Sequence, residues 1–211
     1  YLESEILKTI NALNLNNARV RLTVFRNGEG RYQPEQRTVS FVIVAESTGA
    51  VYVNTVGKYE VELFKDFHVS KHLLSTLKTT SCLINITASI FAQENDYENC
   101  LLINDEKNVI EAINGNIFVV KDNVISTPPI ADGCKNGIIR KKLIEIINKT
   151  ENLTFEERSI SPFELQKADE IFITNIAVGI QSVTQYRKKM FTNTIANSLL
   201  MKLNAQIKFN S

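Results

Sequence analysis

Apolar residues near the start of the chain recur at the spacing of one helix face: Leu2, Ile6, Ile10 and Leu13. An alternation of polar and apolar residues from Arg19 to Val24 then predicts a strand, and residues 39–44 predict another. A turn-rich stretch over residues 27–30 separates the two strands. The pattern therefore predicts a small α+β unit in which one helix precedes two strands.

Residues 58–75 have weak periodicity and mixed charge, so we place a domain boundary there, at about residue 65. Residues 1–64 are predicted to be the remainder of a small N-terminal α+β domain, and residues 65–211 a larger mixed α/β domain. In the larger domain the pattern predicts helices over 80–93, 137–149 and 188–208, and strands over 98–105, 109–112, 116–120, 124–126, 154–160 and 170–174.

Two local signals refine this prediction. Asp122-Asn123 is typical of a hairpin turn, and Ser161-Pro162 is typical of a helix N-terminus. The helix over 137–149 is expected to bury an apolar stripe: Ile138, Ile139, Leu143, Ile146 and Ile147.

Composition and charge narrow the class of protein. A chain of 211 residues with 44% hydrophobic and 22% charged residues is typical of a folded globular protein. The net charge of +1 provides no overall field to attract nucleic acid or an anionic membrane, and no apolar run reaches the ~20 residues of a membrane span. We therefore expect neither nucleic acid nor membrane as a partner.

The cysteines argue against a disulfide scaffold and against a metal site. Cys82, Cys100 and Cys134 are odd in number, form no CxxC pair and have only two histidines to assist them. We expect free thiols, a reducing compartment and a cytoplasmic location.

Dinucleotide, P-loop, zinc-protease and serine-hydrolase motifs are absent. Short patterns instead follow one another in a fixed order over residues 77–80, 101–105, 110–118, 127–140 and 170–181. Their order and spacing across residues 18–185 resemble the class IV aminotransferases, which include D-amino-acid and branched-chain aminotransferases and aminodeoxychorismate lyase. The resemblance implies a fold-type IV enzyme with pyridoxal 5'-phosphate as cofactor, and implies that the family's N-terminal segment is missing from this chain.

The resemblance places the Schiff-base lysine at Lys78, just before the first helix of the larger domain. Such an amine must be neutral to attack a carbonyl, and it then moves the proton at the substrate carbon. A lysine judged by residue type alone is a solvated surface group. Lys71 is the competing lysine, but it lacks the Leu-Lys-Thr context.

Glu111 resembles the carboxylate that pairs with the pyridine nitrogen of the cofactor, where it keeps the ring protonated. Without the resemblance Glu111 would be an ordinary glutamate at a turn or strand edge. Asn114 begins an Asn-Gly-Asn turn that lets the backbone come close to the ring.

The segment from Gly137 to Arg140 resembles a phosphate-binding helix N-terminus. Many transaminases of the family have threonine where this chain has Ile139, so Ile138 and Ile139 would offer only backbone N–H groups. Thr174 and Asn175 at the end of a strand are placed to add a hydroxyl and an amide. Read by residue type alone, Gly137 is an ordinary helix start and Thr174 an ordinary strand end.

Arg31 resembles the arginine that family members use for the substrate carboxylate, although an arginine in a loop is commonly solvated. Two departures, Leu83 in place of a tyrosine and Val178 in place of an arginine, weaken the branched-chain interpretation. The resemblance also implies a homodimer.

Three hypotheses follow. The first is a lyase that converts 4-amino-4-deoxychorismate to 4-aminobenzoate and pyruvate on the folate route, and the Gly-Ile-Ile-Arg segment favours it. The second is an aminotransferase for D- or branched-chain amino acids. The third is a non-catalytic relative that retains only the cofactor-binding body.

Overall fold

The computed structural model describes residues 1–54 and 57–210 and divides into two compact units, Tyr1–Val51 and a second that begins at Tyr52. Helices and strands are mixed in both units, which confirms the α+β class predicted from the sequence.

The first unit consists of helix α1 (Leu2–Ala12) and the antiparallel strands β1 (Ala18–Arg26) and β2 (Val39–Ser47). In their register Leu22 lies opposite Ile43 and Val24 lies opposite Phe41. The ring of Tyr1 packs edge-on against that of Phe41, with 5.9 Å between centroids. This order of one helix and two strands is the one that the apolar pattern predicts.

The second unit is built on one ten-stranded mixed sheet. Its main path runs β10-β9-β6-β5-β4-β3-β11-β12, and β7 and β8 branch from β6. The strands are β3 (Glu60–Val69), β4 (Asn99–Asn104), β5 (Val109–Ala112), β6 (Gly115–Lys121), β7 (Val124–Thr127), β8 (Thr154–Glu157), β9 (Glu170–Asn175), β10 (Gly179–Val183), β11 (Gln185–Tyr186) and β12 (Lys189–Met190). The helices are α2 (Leu83–Glu94), α3 (Ile138–Ile147), α4 (Pro162–Leu165) and α5 (Thr194–Asn210), with 3₁₀ helices at Leu73–Thr76 and Ile130–Asp132.

The division between the units falls at Val51/Tyr52, whereas the sequence placed the boundary at 64/65. Two contacts explain the difference: the backbone of Tyr52 is hydrogen-bonded to the Asn204 side chain of α5, and β3 lies parallel to β4 from Val61 opposite Asn99 to Phe64 opposite Leu102. This pairing joins segments far apart in the chain, so the local pattern of residues 58–75 gave no sign of it.

Alternating residues of the sheet point to opposite faces, where they join three apolar clusters. One face carries Leu63, Leu101, Ile117 and Ile173 in one apolar cluster. On the opposite face, Phe64 and Leu102 pack with α2, while Phe118 and Phe172 pack with α3 and α5. Helices α2 and α3 therefore lie on the same face of the sheet, over different strands.

Several local predictions are confirmed. Asp122 and Asn123 both have positive φ (50° and 64°) and form the two-residue turn that joins β6 to β7. The Ser161 side chain caps α4 in a capping box with Glu164. Of the three thiols, Cys100 and Cys134 are buried and Cys82 is half-buried; burial raises the pKa of Cys100 and of Cys134 to about 12, so both stay protonated near neutral pH.

Two other predictions are wrong. The last helix begins at Thr194 rather than Lys188, because Lys189–Met190 pairs with Gln185–Tyr186 in a hairpin whose turn holds Arg187 at φ 55°. Ile138, expected in the buried stripe of α3, is 72% exposed in the first turn, while the other four members of the stripe are buried.

Within residues 1–54 and 57–210, no helix combines the length and apolar character needed to cross a membrane. The same residues contain no cluster of three or more His, Cys, Asp or Glu side chains that could hold a metal ion.

Candidate active site

A row of three buried polar residues crosses neighbouring strands of the large sheet. Glu111 on β5 lies opposite Asn116 on β6, and Asn116 lies opposite Thr174 on β9. Side chains of directly opposed residues project from the same face of a sheet. The three side chains therefore lie side by side, on the face that carries α2 and α3.

Apolar side chains continue this row in both directions. Leu102 lies opposite Glu111 on one side, and Ile180 lies opposite Thr174 on the other. Buried polar groups are costly unless they find partners. The hydrogen bonds that these three polar side chains make, or leave unmade, therefore indicate what kind of ligand this part of the sheet can bind.

Glu111 is held by one residue of the loop that precedes α3. Its Oε1 accepts a hydrogen bond from Lys135 Nζ at 2.7 Å, and its Oε2 accepts one from the Lys135 backbone N–H at 3.0 Å. The Glu111 side chain is 3% exposed and that of Lys135 is 33% exposed. A buried carboxylate thus meets an ammonium group that retains access to solvent.

Asn116 fixes the N-terminus of α3 beside the row. Its Nδ2 donates to the Lys135 carbonyl at 2.6 Å. A Cβ atom at Gly137 would overlap Asn116 Oδ1, so the glycine is required for this close approach. The Asn116 amide therefore lies where a side chain at residue 137 would be, beside the start of α3.

The first turn of α3 presents unpaired backbone donors. Gly137 is the N-cap residue, and no side chain within residues 1–54 and 57–210 caps α3 there. The first backbone N–H groups of a helix have no partner within the helix and lie at the positive end of its dipole. Here they belong to Ile138, Ile139 and Arg140, so the uncapped end of α3 can accept an anion.

Thr174 adds a second unpaired donor on the same face. Its hydroxyl Oγ1 is buried and has no hydrogen-bond partner in the part of the chain that the structure describes. Thr174 lies opposite Asn116, which contacts the start of α3. A buried hydroxyl without a partner beside an uncapped helix end fits a bound anionic group.

Asn175 and Asn114 are engaged elsewhere. Asn175 Oδ1 accepts from the backbone N–H groups of Ala177 (2.9 Å) and Val178 (3.1 Å) and so closes the turn between β9 and β10. Asn114 Oδ1 accepts from Asn99 Nδ2 at 2.9 Å. Both side chains serve local structure, which the sequence did not anticipate.

Lys78 lies between the 3₁₀ helix Leu73–Thr76 and α2, and it is exposed. On its C-terminal side, Asn85 Nδ2 donates to the Ile113 carbonyl, in the turn after Glu111, at 2.7 Å. On its N-terminal side, a Cβ at Gly133 would lie 3.4 Å from Ser75 Oγ. The Asn85 hydrogen bond ties the start of α2 to the β5–β6 hairpin, and Ser75 lies near Gly133 in the loop that leads to Lys135.

The competing Lys71 is already paired: its Nζ lies 2.8 Å from Glu106 Oε1. Arg31 belongs to the first unit, where it is exposed in the connection between β1 and β2.

Sequence reasoning missed two residues of this site, Lys135 and Asn116. Both lie inside the segments that carry the family resemblance, so their neighbourhood was identified. The contact between Lys135 and Glu111 joins residues 24 apart through the fold, and nothing in the local sequence indicates it.

The family model for class IV amino-transferases matches residues 1–186. The chain therefore belongs to the class IV aminotransferase family, whose members depend on pyridoxal phosphate. Both the family and the cofactor class inferred from the sequence are confirmed.

Two curated relatives illustrate the range of the family. A putative branched-chain-amino-acid aminotransferase of Methanocaldococcus jannaschii is 30% identical over 132 residues, which cover 63% of this chain and 46% of the relative. A D-alanine aminotransferase of Bacillus licheniformis is 34% identical over 108 residues, which cover 51% of this chain and 38% of the relative. In both comparisons the matched segment spans less than half of the relative.

A solved structure supports the fold. The putative 4-amino-4-deoxychorismate lyase from Legionella pneumophila superposes with a TM-score of 0.83 at 21% identity, over 96% of this chain and 75% of that one. The fold-type IV architecture expected from the sequence is thereby confirmed.

Proposed function

We propose that this protein binds pyridoxal phosphate along the row Glu111–Asn116–Thr174 and uses it to act on the amino group of a small amino acid. One observation carries the proposal: a buried carboxylate, an uncapped helix end and a buried unpaired hydroxyl share one face of three adjacent strands. When bound, pyridoxal phosphate supplies an electron sink for the bond that breaks at the substrate carbon.

In this proposal the phosphate group lies at the N-terminus of α3. The backbone N–H groups of Ile138 and Ile139 and the hydroxyl of Thr174 are its donors. The Ile139 side chain is buried in the core below, which anchors the first turn. The exposed Ile138 side chain has no role in this arrangement, and Asn175 supports it only through the turn that follows Thr174.

Glu111 supplies the negative charge that stabilises a protonated ring nitrogen. It is fixed by the Lys135 backbone N–H at 3.0 Å, so its carboxylate does not have to reorganise. A carboxylate has about four lone-pair sites, and two are used in the structure. Glu111 can therefore accept another N–H donor.

Lys78 is the amine that we propose attaches the cofactor and moves the proton at the substrate carbon. Its neighbours Ser75 and Asn85 are fixed by hydrogen bonds to Ser70 and Ile113, while Lys78 itself is exposed and can reach a ligand. Arg31 remains the candidate for the substrate carboxylate, since its guanidinium group can bind a carboxylate through two hydrogen bonds.

For the reaction, we propose amino-group transfer between an amino acid and a 2-oxo acid. The two curated relatives described above are aminotransferases, and they support this choice. The alternative is the lyase reaction on 4-amino-4-deoxychorismate, which the sequence placed first. Ile139, where many transaminases have threonine, favours that alternative.

One paired assay distinguishes the reactions. The purified protein, supplied with pyridoxal phosphate, is incubated with D- or branched-chain amino acids plus 2-oxoglutarate, and separately with enzymatically made 4-amino-4-deoxychorismate. We expect glutamate in the first arm. Formation of 4-aminobenzoate and pyruvate alone would establish the lyase, and no turnover in either arm would contradict the proposed function.

We also propose a cytoplasmic homodimer. Leu83, Ile86 and Ile90 lie on the exposed face of α2, and Leu22 and Val24 of β1 are exposed in the first unit. Neighbouring apolar side chains exposed on one face of a helix or strand are typical of interaction surfaces. An obligate two-fold interface buries roughly 2,000 Å² or more. Light scattering at micromolar concentration is expected to give twice the monomer mass, and an active monomer would contradict the dimer.

A further inference from the structure

Lys135 places a positive charge on the carboxylate that the proposed function assigns to the ring nitrogen. The distance from Lys135 Nζ to Glu111 Oε1 is 2.7 Å. Because Glu111 is almost wholly buried, this ammonium is the cation that offsets its charge in the structure described here.

The backbone and the side chain of Lys135 have separable roles. The backbone N–H donates to Glu111 Oε2, and the backbone carbonyl accepts from Asn116 Nδ2. These two hydrogen bonds fix the loop whatever side chain residue 135 carries. The ion pair is an additional contact of the side chain, so it can be removed while the loop stays in place.

A protonated ring nitrogen at Glu111 would bring a second cation to the same carboxylate. Two positive charges close together in a buried site repel each other. The Lys135 side chain is one-third exposed and flexible, so its ammonium can move into solvent. This movement breaks the ion pair between Lys135 and Glu111.

We infer that Lys135 is a positioning residue that neutralises Glu111 before cofactor binds and competes with the cofactor ring nitrogen for that carboxylate. The inference rests on the proposed function, in which Glu111 is the partner of the ring nitrogen. Lys135 thereby lowers the affinity for pyridoxal phosphate while it stabilises the cofactor-free protein.

The test compares Lys135→Met with wild type after removal of cofactor, using calorimetric titration with pyridoxal phosphate and thermal unfolding. We expect Lys135→Met to bind pyridoxal phosphate about tenfold more tightly and to unfold at a lower temperature without it. A purely structural role for Lys135 would lower both the affinity and the stability. The gain in affinity is expected to vanish for the 1-deaza analogue of pyridoxal phosphate, in which carbon replaces the ring nitrogen.

Two further variants serve as controls. Lys135→Arg keeps the positive charge and is expected to bind like wild type, and Lys149→Met removes an exposed charge just beyond the end of α3 and is expected to change nothing. If wild type binds pyridoxal phosphate but Lys135→Met binds it equally or more weakly, the inference fails alone. If wild type binds no pyridoxal phosphate, the proposed function fails with it.

Discussion

Replacing Lys78 with alanine should abolish the covalent adduct that borohydride traps between the protein and pyridoxal phosphate, and with it all measurable turnover. Alanine has no amine to attack the cofactor carbonyl and no base to move the proton at the substrate carbon. The variant is expected to fold normally, because Lys78 is exposed and the neighbouring residues Ser75 and Asn85 make hydrogen bonds that do not involve it. Phosphate binding at α3 should persist, so the cofactor would still bind reversibly.

Lys71→Ala is the matched control for this experiment. Lys71 lies seven residues earlier in the chain and is paired with Glu106 at 2.8 Å. We expect Lys71→Ala to keep the reducible adduct. A covalent, reducible cofactor in Lys78→Ala, or its loss in Lys71→Ala alone, would overturn the assignment of Lys78.

Replacing Glu111 with glutamine should preserve cofactor binding but lower turnover by about 100-fold or more. If stabilisation of the protonated ring supplies about 3 kcal/mol, its loss corresponds to about two factors of ten at ~1.4 kcal/mol each. Glutamine keeps the size of the side chain and can still accept from the Lys135 backbone N–H. The loss of negative charge is therefore the main change.

Steady-state kinetics with saturating pyridoxal phosphate measure this effect, with Glu151→Gln as a control at an exposed turn. The loss is expected in kcat, since Glu111 is assigned to the cofactor and not to the substrate. A Glu111→Gln enzyme with wild-type kcat would remove this residue from the proposed mechanism.

The sequence predicted the central hairpin and α3 well because their signals are local. Strand β5 has the predicted bounds Val109–Ala112. Helix α3 contains the predicted apolar stripe, whose buried part begins at Ile139. Buried strands of unbroken apolar residues and helices with one apolar face can be recognised from a short window.

The strands that the sequence did not predict are formed by pairing with segments far away in the chain. Strand β3 contains Glu60, Lys65 and Asp66, and it becomes a strand through its parallel pairing with β4. Strand β10 buries polar Gln181 and Ser182, and β11 and β12 are two residues each. In β3 the alternation of polar and apolar residues stops after Leu63, and β11 and β12 are too short to show any period.

The site was predicted only in part, because some of its contacts also join distant segments of the chain. Residue types and the family resemblance led to Glu111, Gly137 and Thr174, which the sheet register and the start of α3 bring together. Register places Asn116 between Glu111 and Thr174, and the fold brings Lys135 to Glu111. The pairing of Asn116 with Thr174 and the contact of Lys135 with Glu111 join segments that no local pattern connects.

The most direct test of this site is to map the covalent attachment. The purified wild-type protein is incubated with pyridoxal phosphate, reduced with borohydride, digested and analysed by mass spectrometry. The account predicts one reduced phosphopyridoxyl group, on Lys78, with none on Lys71 or Lys135. A modification confined to another lysine, or no modification under conditions that saturate a known class IV enzyme, would contradict it.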